Sequence, residues 1–187
     1  EPDAYIAEAE LQALNEEGTF ILTKISQELE RRFTRNDSLT ILPVQTTDSE
    51  LEGFKLNGDV AIFSDHESVT PPINLIDYLN RLARYVNIWH NESGGEETAG
   101  IRAAIMSLIY IDKIESDGVQ LSRDTIHRLV MVGFLVATKY IGGQPLSNSF
   151  WAKVGGVPTE EVNALECVFC KLIRFKHFVS EEEYYQY

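Results

Sequence analysis

Four histidines, two cysteines and 29 acidic side chains are the groups in this 187-residue chain that could hold a metal, supply a nucleophile or move a proton. Their spacing assembles none of these chemistries. His66, His90, His127 and His177 are scattered, and none stands at ligand spacing from a Cys, Asp or Glu. Cys167 and Cys170 form a Cys-Val-Phe-Cys quartet inside a predicted helix. It lacks the second pair that a tetrahedral zinc site needs and the helix-opening turn of a redox dithiol, so both read as buried free thiols. The glycine pairs at 94–95, 142–143 and 155–156 follow no strand and carry no Lys-Ser or Lys-Thr step, so none reads as a phosphate loop. Ser180 to Glu183 lacks the twelve-residue loop of a calcium site. The sequence assigns no catalytic residue, no metal site and no cofactor.

Three other charged residues sit where charge is expensive. Lys139 follows a nearly unbroken apolar run, Leu129 to Ala137. A cation near a helix C-terminus suits the helix dipole. One reading is a lysine snorkelling to water; the other is an ammonium held for a partner protein's backbone carbonyls. Glu166 stands among Val162, Leu165, Phe169, Leu172 and Ile173. An isolated base and acid on consecutive long apolar helices is an arrangement used at interfaces. Asp112 lies between Ile111 and Ile114. A buried carboxylate there needs a basic partner or backbone amides, and Arg81 or Arg102 is the expected partner.

The elements that position these residues are helical. Ser122 to Ile141 reads as a central helix packed on several sides, too short and too charged at its ends to span a bilayer. Helices are expected from about Asn74 to Trp89 and from a Thr98 cap to about Ile114. A short piece at Asn148 to Val154 and a last long helix opened by Pro158-Thr159 follow. Upstream, Ala4, Ala7, Leu11, Leu14, Ile21, Ile25 and Leu29 recur at helical spacing, with Gly18 as a break or bend. Residues 36–72 are rich in breakers, with short extended pieces at Leu39 to Val44 and Val60 to Phe63 and a hairpin signal at Asn57-Gly58. No sustained alternation predicts a sheet. Ser180-Glu-Glu-Glu resembles a capping box for a short final helix.

Charge divides the chain. Residues 1–70 hold 15 acids and 5 bases, whereas residues 71–187 hold 14 acids and 11 bases. We therefore divide it into an acidic N-terminal extension at 1–70 (helix about 4–33, then a long linker), a helical domain at 71–178 and a tail at 179–187. The net charge of -13 disfavours a nucleic-acid partner. Nothing in the sequence reads as a signal peptide, membrane span or lipidation motif, and the free thiols suit a reducing, intracellular compartment.

The segment 74–178 resembles the cyclin box, in the form found in the phosphate-regulation (P/U-type) cyclins of yeast and related parasite cyclins. The resemblance is carried, in order, by PPINLIDYLNRL at 71–82, SLIYIDKI at 107–114, HRL at 127–129 with ATKY at 137–140, NSFWAKVGGV at 148–157, NALE at 163–166 and FKHFVSEEEY at 175–184. It implies an all-α fold: a single five-helix cyclin box with an N-terminal helical extension and a short C-terminal helix. It further implies a non-catalytic subunit that binds and allosterically activates a cyclin-dependent protein serine/threonine kinase as a heterodimer. Such a subunit would act in cell-cycle or phosphate control, with no nucleic acid, membrane or small-molecule substrate. Lys139 and Glu166 match the kinase-gripping lysine and glutamate of that family. Asp112 matches an internal aspartate tied to an arginine near the first helix, for which Arg81 is the candidate. The alternative is a cyclin-fold adaptor or scaffold that activates no kinase.

Overall fold

The structure is a computed structural model and describes residues 14–39, 61–64, 73–92, 98–141 and 145–187. Its α-helices are α1 (Glu16–Leu39), α2 (Leu75–Glu92), α3 (Ala99–Ser116), α4 (Ile126–Ile141), α5 (Asn148–Gly155), α6 (Thr159–Leu172) and α7 (Glu181–Tyr184). There is no strand among the described residues, so the all-α architecture expected from the sequence is present.

α4 is the centre of the fold. Every residue from Ile126 to Thr138 is buried except Arg128. Helices α2, α3, α5 and α6 all pack on it, which is why it carries no polar face. The helix begins at Ile126, later than the expected Ser122. Ser122 and Thr125 instead close a turn, with their hydroxyls 3.1 Å apart and Ile126 N donating to Ser122 O at 3.1 Å. Short hydroxyl side chains that bond locally compete with helix in this way.

Two close approaches set the helix crossings. A Cβ on Gly133 would stand 2.1 Å from Ser107 Oγ, so α3 and α4 can meet there only through a glycine. A Cβ on Gly100 would stand 2.2 Å from the Ala83 carbonyl oxygen, where α3 starts against α2. The same junction corrects the expected Thr98 cap. Thr98 holds the cap position without a side-chain capping bond. Asn87 of α2 accepts from Gly100 N at 2.6 Å instead, so a neighbouring helix satisfies that amide.

α1 starts at Glu16, and Asn15 Oδ1 accepts from Gly18 N at 2.7 Å. Gly18 therefore belongs to a capped first turn and does not bend the helix; residues 4–13 of the expected helix lie outside the described residues. α1 continues past residue 33 to Leu39. Its Leu22, Ile25, Leu29 and Phe33 enter the same core as α2 to α6. Residues Ala61–Phe63 form a 3₁₀ turn where an extended piece was expected. The fully buried Phe63 meets Phe169 edge-on at 6.4 Å, so packing of this ring decides the local shape. Residues 40–44 and the Asn57-Gly58 hairpin signal lie outside the described residues.

After α6 the chain reverses through Arg174 and Phe175, whose φ values are 53° and 55°. Tyr110 and Lys113 of α3 then hold the tail, donating to His177 O at 2.8 Å and Phe178 O at 3.2 Å. Ser180 Oγ accepts from Glu183 N at 3.1 Å and opens α7, as its sequence suggests. Among the described residues, no helix is long and apolar enough to cross a membrane.

Candidate functional site

Burial along α4 ends abruptly at Thr138, and Lys139 and Tyr140 emerge to solvent. The Lys139 ammonium meets two acceptors, Asn148 Oδ1 and Glu166 Oε1, each at 2.7 Å. Asn148 is the first residue of α5, a helix whose start is fixed by Ser147 Oγ accepting from Phe150 N at 3.2 Å. Its amide nitrogen donates to Glu166 Oε2 and to Asn163 Oδ1, each at 2.7 Å. The ends of α4 and α5 and the middle of α6 thus share one polar cluster. The Lys139 and Glu166 side chains keep 33% and 21% of their exposure. They remain hydrated enough that desolvation is modest, yet each is oriented by fixed neighbours.

Lys139 is therefore not simply snorkelling: it has defined protein acceptors. Among the described residues, two acceptors take two of the three ammonium donors, and the Glu166 carboxylate has lone pairs beyond those it uses there. Side by side, the two can donate to a carbonyl and accept from an amide of a docked backbone. Tyr140, 43% exposed, and Cys167, also exposed, stand beside them in sequence. The expectation of two buried thiols is thus corrected for Cys167, which lies on the solvent side of α6. Cys170 is half-buried. Burial pushes its thiol up, Glu166 and Cys167 add to this, and Lys139 opposes it.

Asp112 is tied to an arginine, but not to Arg81. Its partner is Arg32 of α1, whose Nη1 contacts Asp112 Oδ1 and also meets Glu115 at 2.9 Å, while Nε meets Glu28 at 2.7 Å. The second Asp112 oxygen accepts from the Tyr187 hydroxyl. Arg81 faces along its own helix, donating from Nε to the Tyr85 hydroxyl at 3.2 Å, with its guanidinium over the Tyr85 ring. Arg102 lies ten residues before Asp112 on the same helix, roughly 15 Å along the axis. Burial lowers the Arg32 pKa, but Glu28, Asp112 and Glu115 together raise it well above the ordinary value. Glu28 is held down to about 2, chiefly by its hydrogen bond to Arg31. Burial lifts Glu115, against the pull of Arg32.

Sequence reasoning named Lys139 and Glu166 but did not join them, and gave Asn148 and Asn163 no role; it pairs Glu28 with Arg31 or Arg32, as found, but does not carry Arg32 on to Asp112. The available signal for Asn148 was its place directly after the Ser147 cap, which fixes it at a helix start. Among the described residues, no three His, Cys, Asp or Glu side chains converge on a metal position.

The fold is a box of helices around a buried central helix, with charged side chains gathered on its rim and not in an enclosed pocket. The Cyclin family model matches residues 19–177, and the chain belongs to the cyclin family. It is similar to Cyclin-U2-2 of Arabidopsis thaliana, 27% identical over 92% of this chain and 67% of that protein. It is 30% identical to PHO85 cyclin-7 of Saccharomyces cerevisiae, over 89% of this chain and 58% of the relative. It is also 30% identical to PHO85 cyclin-like protein psl1 of Schizosaccharomyces pombe, over 95% and 68%. These relatives place it with the P/U-type cyclins. The chain spans about two thirds of the length of these relatives, or less.

Proposed function

We propose that this chain is the non-catalytic regulatory subunit of a cyclin-dependent protein serine/threonine kinase, bound as a heterodimer inside the cell. The carrying observation is the cluster of Lys139, Glu166 and Asn148 on the rim of a cyclin-family box. Two relatives are named as PHO85 cyclins or cyclin-like proteins, which supports a kinase of that class.

In this reading the box docks as a rigid body. Lys139 donates to backbone carbonyls of the kinase and Glu166 accepts from its amides, holding the mobile regulatory helix inward. That completes the kinase Lys–Glu pair and aligns the activation segment. A preference of about 1–3 kcal/mol for the active state shifts kinase activity many-fold. The phosphoryl chemistry belongs to the kinase. The output is cell-cycle or phosphate control.

The test is affinity capture from lysate with the native chain and with the Lys139→Ala, Glu166→Ala double variant. Mass spectrometry identifies what is bound, and a kinase assay follows on the eluates. The native chain is expected to retain a cyclin-dependent kinase with raised activity and the variant to lose it. A kinase retained by both, or bound without activation, turns the reading toward a scaffold that uses another surface.

A further inference from the structure

The rim of the site carries two groups for which docking has no use. Cys167 and Cys170 are free thiols three residues apart on α6, the first exposed and the second half-buried. Each stands one helical turn beyond a member of the polar cluster: Cys167 after Asn163, and Cys170 after Glu166. Cys170 packs against the hydrophobic core; burial first, then Glu166 and Cys167, hold its thiol up, and Lys139 opposes them.

We propose that Cys167 and Cys170 form a reversible thiol-modification site, oxidised by a low-molecular-weight disulfide such as glutathione disulfide, whose closure displaces Glu166. This rests on the docking role proposed above for Glu166. The accessible Cys167 thiolate attacks one sulfur of the small disulfide. That S–S bond breaks, one small thiolate leaves, and a mixed disulfide forms. Cys170, once its thiol gives its proton to solvent, then attacks the Cys167 sulfur and expels the second small thiolate. The two cysteines lose two electrons, the small disulfide gains them, and the two thiol protons pass through solvent to the departing thiolates.

Geometry makes the bridge consequential. Residues three apart on a helix hold their Cβ atoms about 5–6 Å apart. A disulfide needs about 3.5–4.5 Å. The turn must therefore tighten, and because Cys170 is seated on the core, the Cys167 side moves. Glu166 shares the peptide bond into Cys167 and moves with it. A side chain held by 2.7 Å bonds to Lys139 and Asn148 does not keep them through such a shift.

The experiment uses the full chain, reduced or treated with glutathione disulfide, beside Cys167→Ser and Cys170→Ser variants. Peptide mass mapping without reductant reads the bridge. Amide hydrogen exchange reads the 166–170 turn. Capture of the kinase that the affinity experiment of the proposed function retains reads docking. The expected result is a bridge between Cys167 and Cys170, faster exchange across that turn and about tenfold weaker capture, all reversed by dithiothreitol. Neither variant forms a bridge: Cys167→Ser, which lacks the attacking thiol, keeps native capture under the oxidant, and Cys170→Ser stops at the Cys167 mixed disulfide without faster exchange across the turn. In the native chain, a mixed disulfide that stops at Cys167, or a bridge that leaves exchange and capture unchanged, overturns the proposal. If the reduced chain binds no kinase, the docking role of Glu166 fails, while mass and exchange still decide whether the bridge forms and moves the turn.

Discussion

Lys139 at the end of α4 and Glu166 in α6, 27 residues apart in the chain, are joined ammonium to carboxylate at 2.7 Å. The pair is satisfied within the chain, so its members are held in place in the absence of any partner. Exposed pairs of this kind contribute about 0–1 kcal/mol to stability. The charge-swapped variant Lys139→Glu, Glu166→Lys keeps an internal ion pair, and the Asn148 amide can rotate to suit it. Its unfolding free energy is expected within about 1 kcal/mol of native. Its kinase binding, by contrast, is expected to stay lost, because donor and acceptor now face the wrong backbone groups. Urea unfolding and affinity capture on the same sample separate the two outcomes, and binding by the swapped chain would sink the docking role.

Arg32 serves three carboxylates, those of Glu28, Asp112 and Glu115, from a position where its side chain is 16% exposed. Arg32→Ala leaves that acidic group without its shared cation and is expected to cost about 2–4 kcal/mol. Lysine cannot reproduce a planar fork toward several acceptors, so Arg32→Lys falls between the two. Thermal denaturation checks both, at roughly 2–4 °C of lost midpoint per kcal/mol in a chain of this size. The matching Arg81→Ala change removes, among the described residues, a contact with Tyr85 and is expected to shift the midpoint less.

The acid limb of stability should carry the signature of Glu28. Its folded pKa is depressed to about 2 from the usual 4.5. Between these values the unfolded chain binds the proton and the folded chain does not. The contribution of Glu28 is therefore complete above about 4.5 and is lost as pH falls toward about 2. Glu28→Gln is expected to flatten the stability curve across that window and leave it unchanged at neutral slope. Denaturant titrations at several acidic pH values test this, and an unaltered acid limb would argue that Arg31 and Arg32 do not hold the carboxylate in solution.

Gly133→Ala sets helix propensity against packing. Alanine gains about 1 kcal/mol of propensity over glycine. Its Cβ would meet Ser107 Oγ at 2.1 Å and Ser107 Cβ at 2.9 Å. Overpacking of this kind costs about 1–3 kcal/mol, so a net loss of stability is expected. Adding Ser107→Ala removes the nearer atom but not the second and recovers only part of the loss. Equilibrium unfolding of the single and double variants is the measurement; a stabilised Gly133→Ala would show that α3 and α4 slide apart freely.

The parts of this molecule visible in the sequence are those set by neighbouring residues. The long apolar run of α4 announces a helix buried on several sides, and Ser180 marks a helix start where it does cap. Lys139 and Glu166 stand out because charge on an apolar helix is costly. What stayed hidden depends on distant residues. Arg32 reaches Asp112 across 80 positions, and no local rule prefers it to Arg81. Asn87 takes over the task expected of Thr98 from 13 residues away. Phe63 turns toward Phe169, more than a hundred residues on, and breaker-rich sequence around it gives no hint of that. Cys167 reads as buried because no second cysteine pair and no redox turn accompany it in the sequence, but its position lies on the helix's solvent side.

Asp112 receives Arg32 on one oxygen and Tyr187 on the other, from 80 and 75 residues away in opposite directions along the chain. Closing such long loops carries a conformational cost that grows with their length, and contacts of this range form slowly. The helices between them can condense first through nearer contacts. In kinetic terms, one carboxylate is then where the upstream helix and the downstream tail both finish folding, and where unfolding that starts at either strap loosens α3's hold on the other.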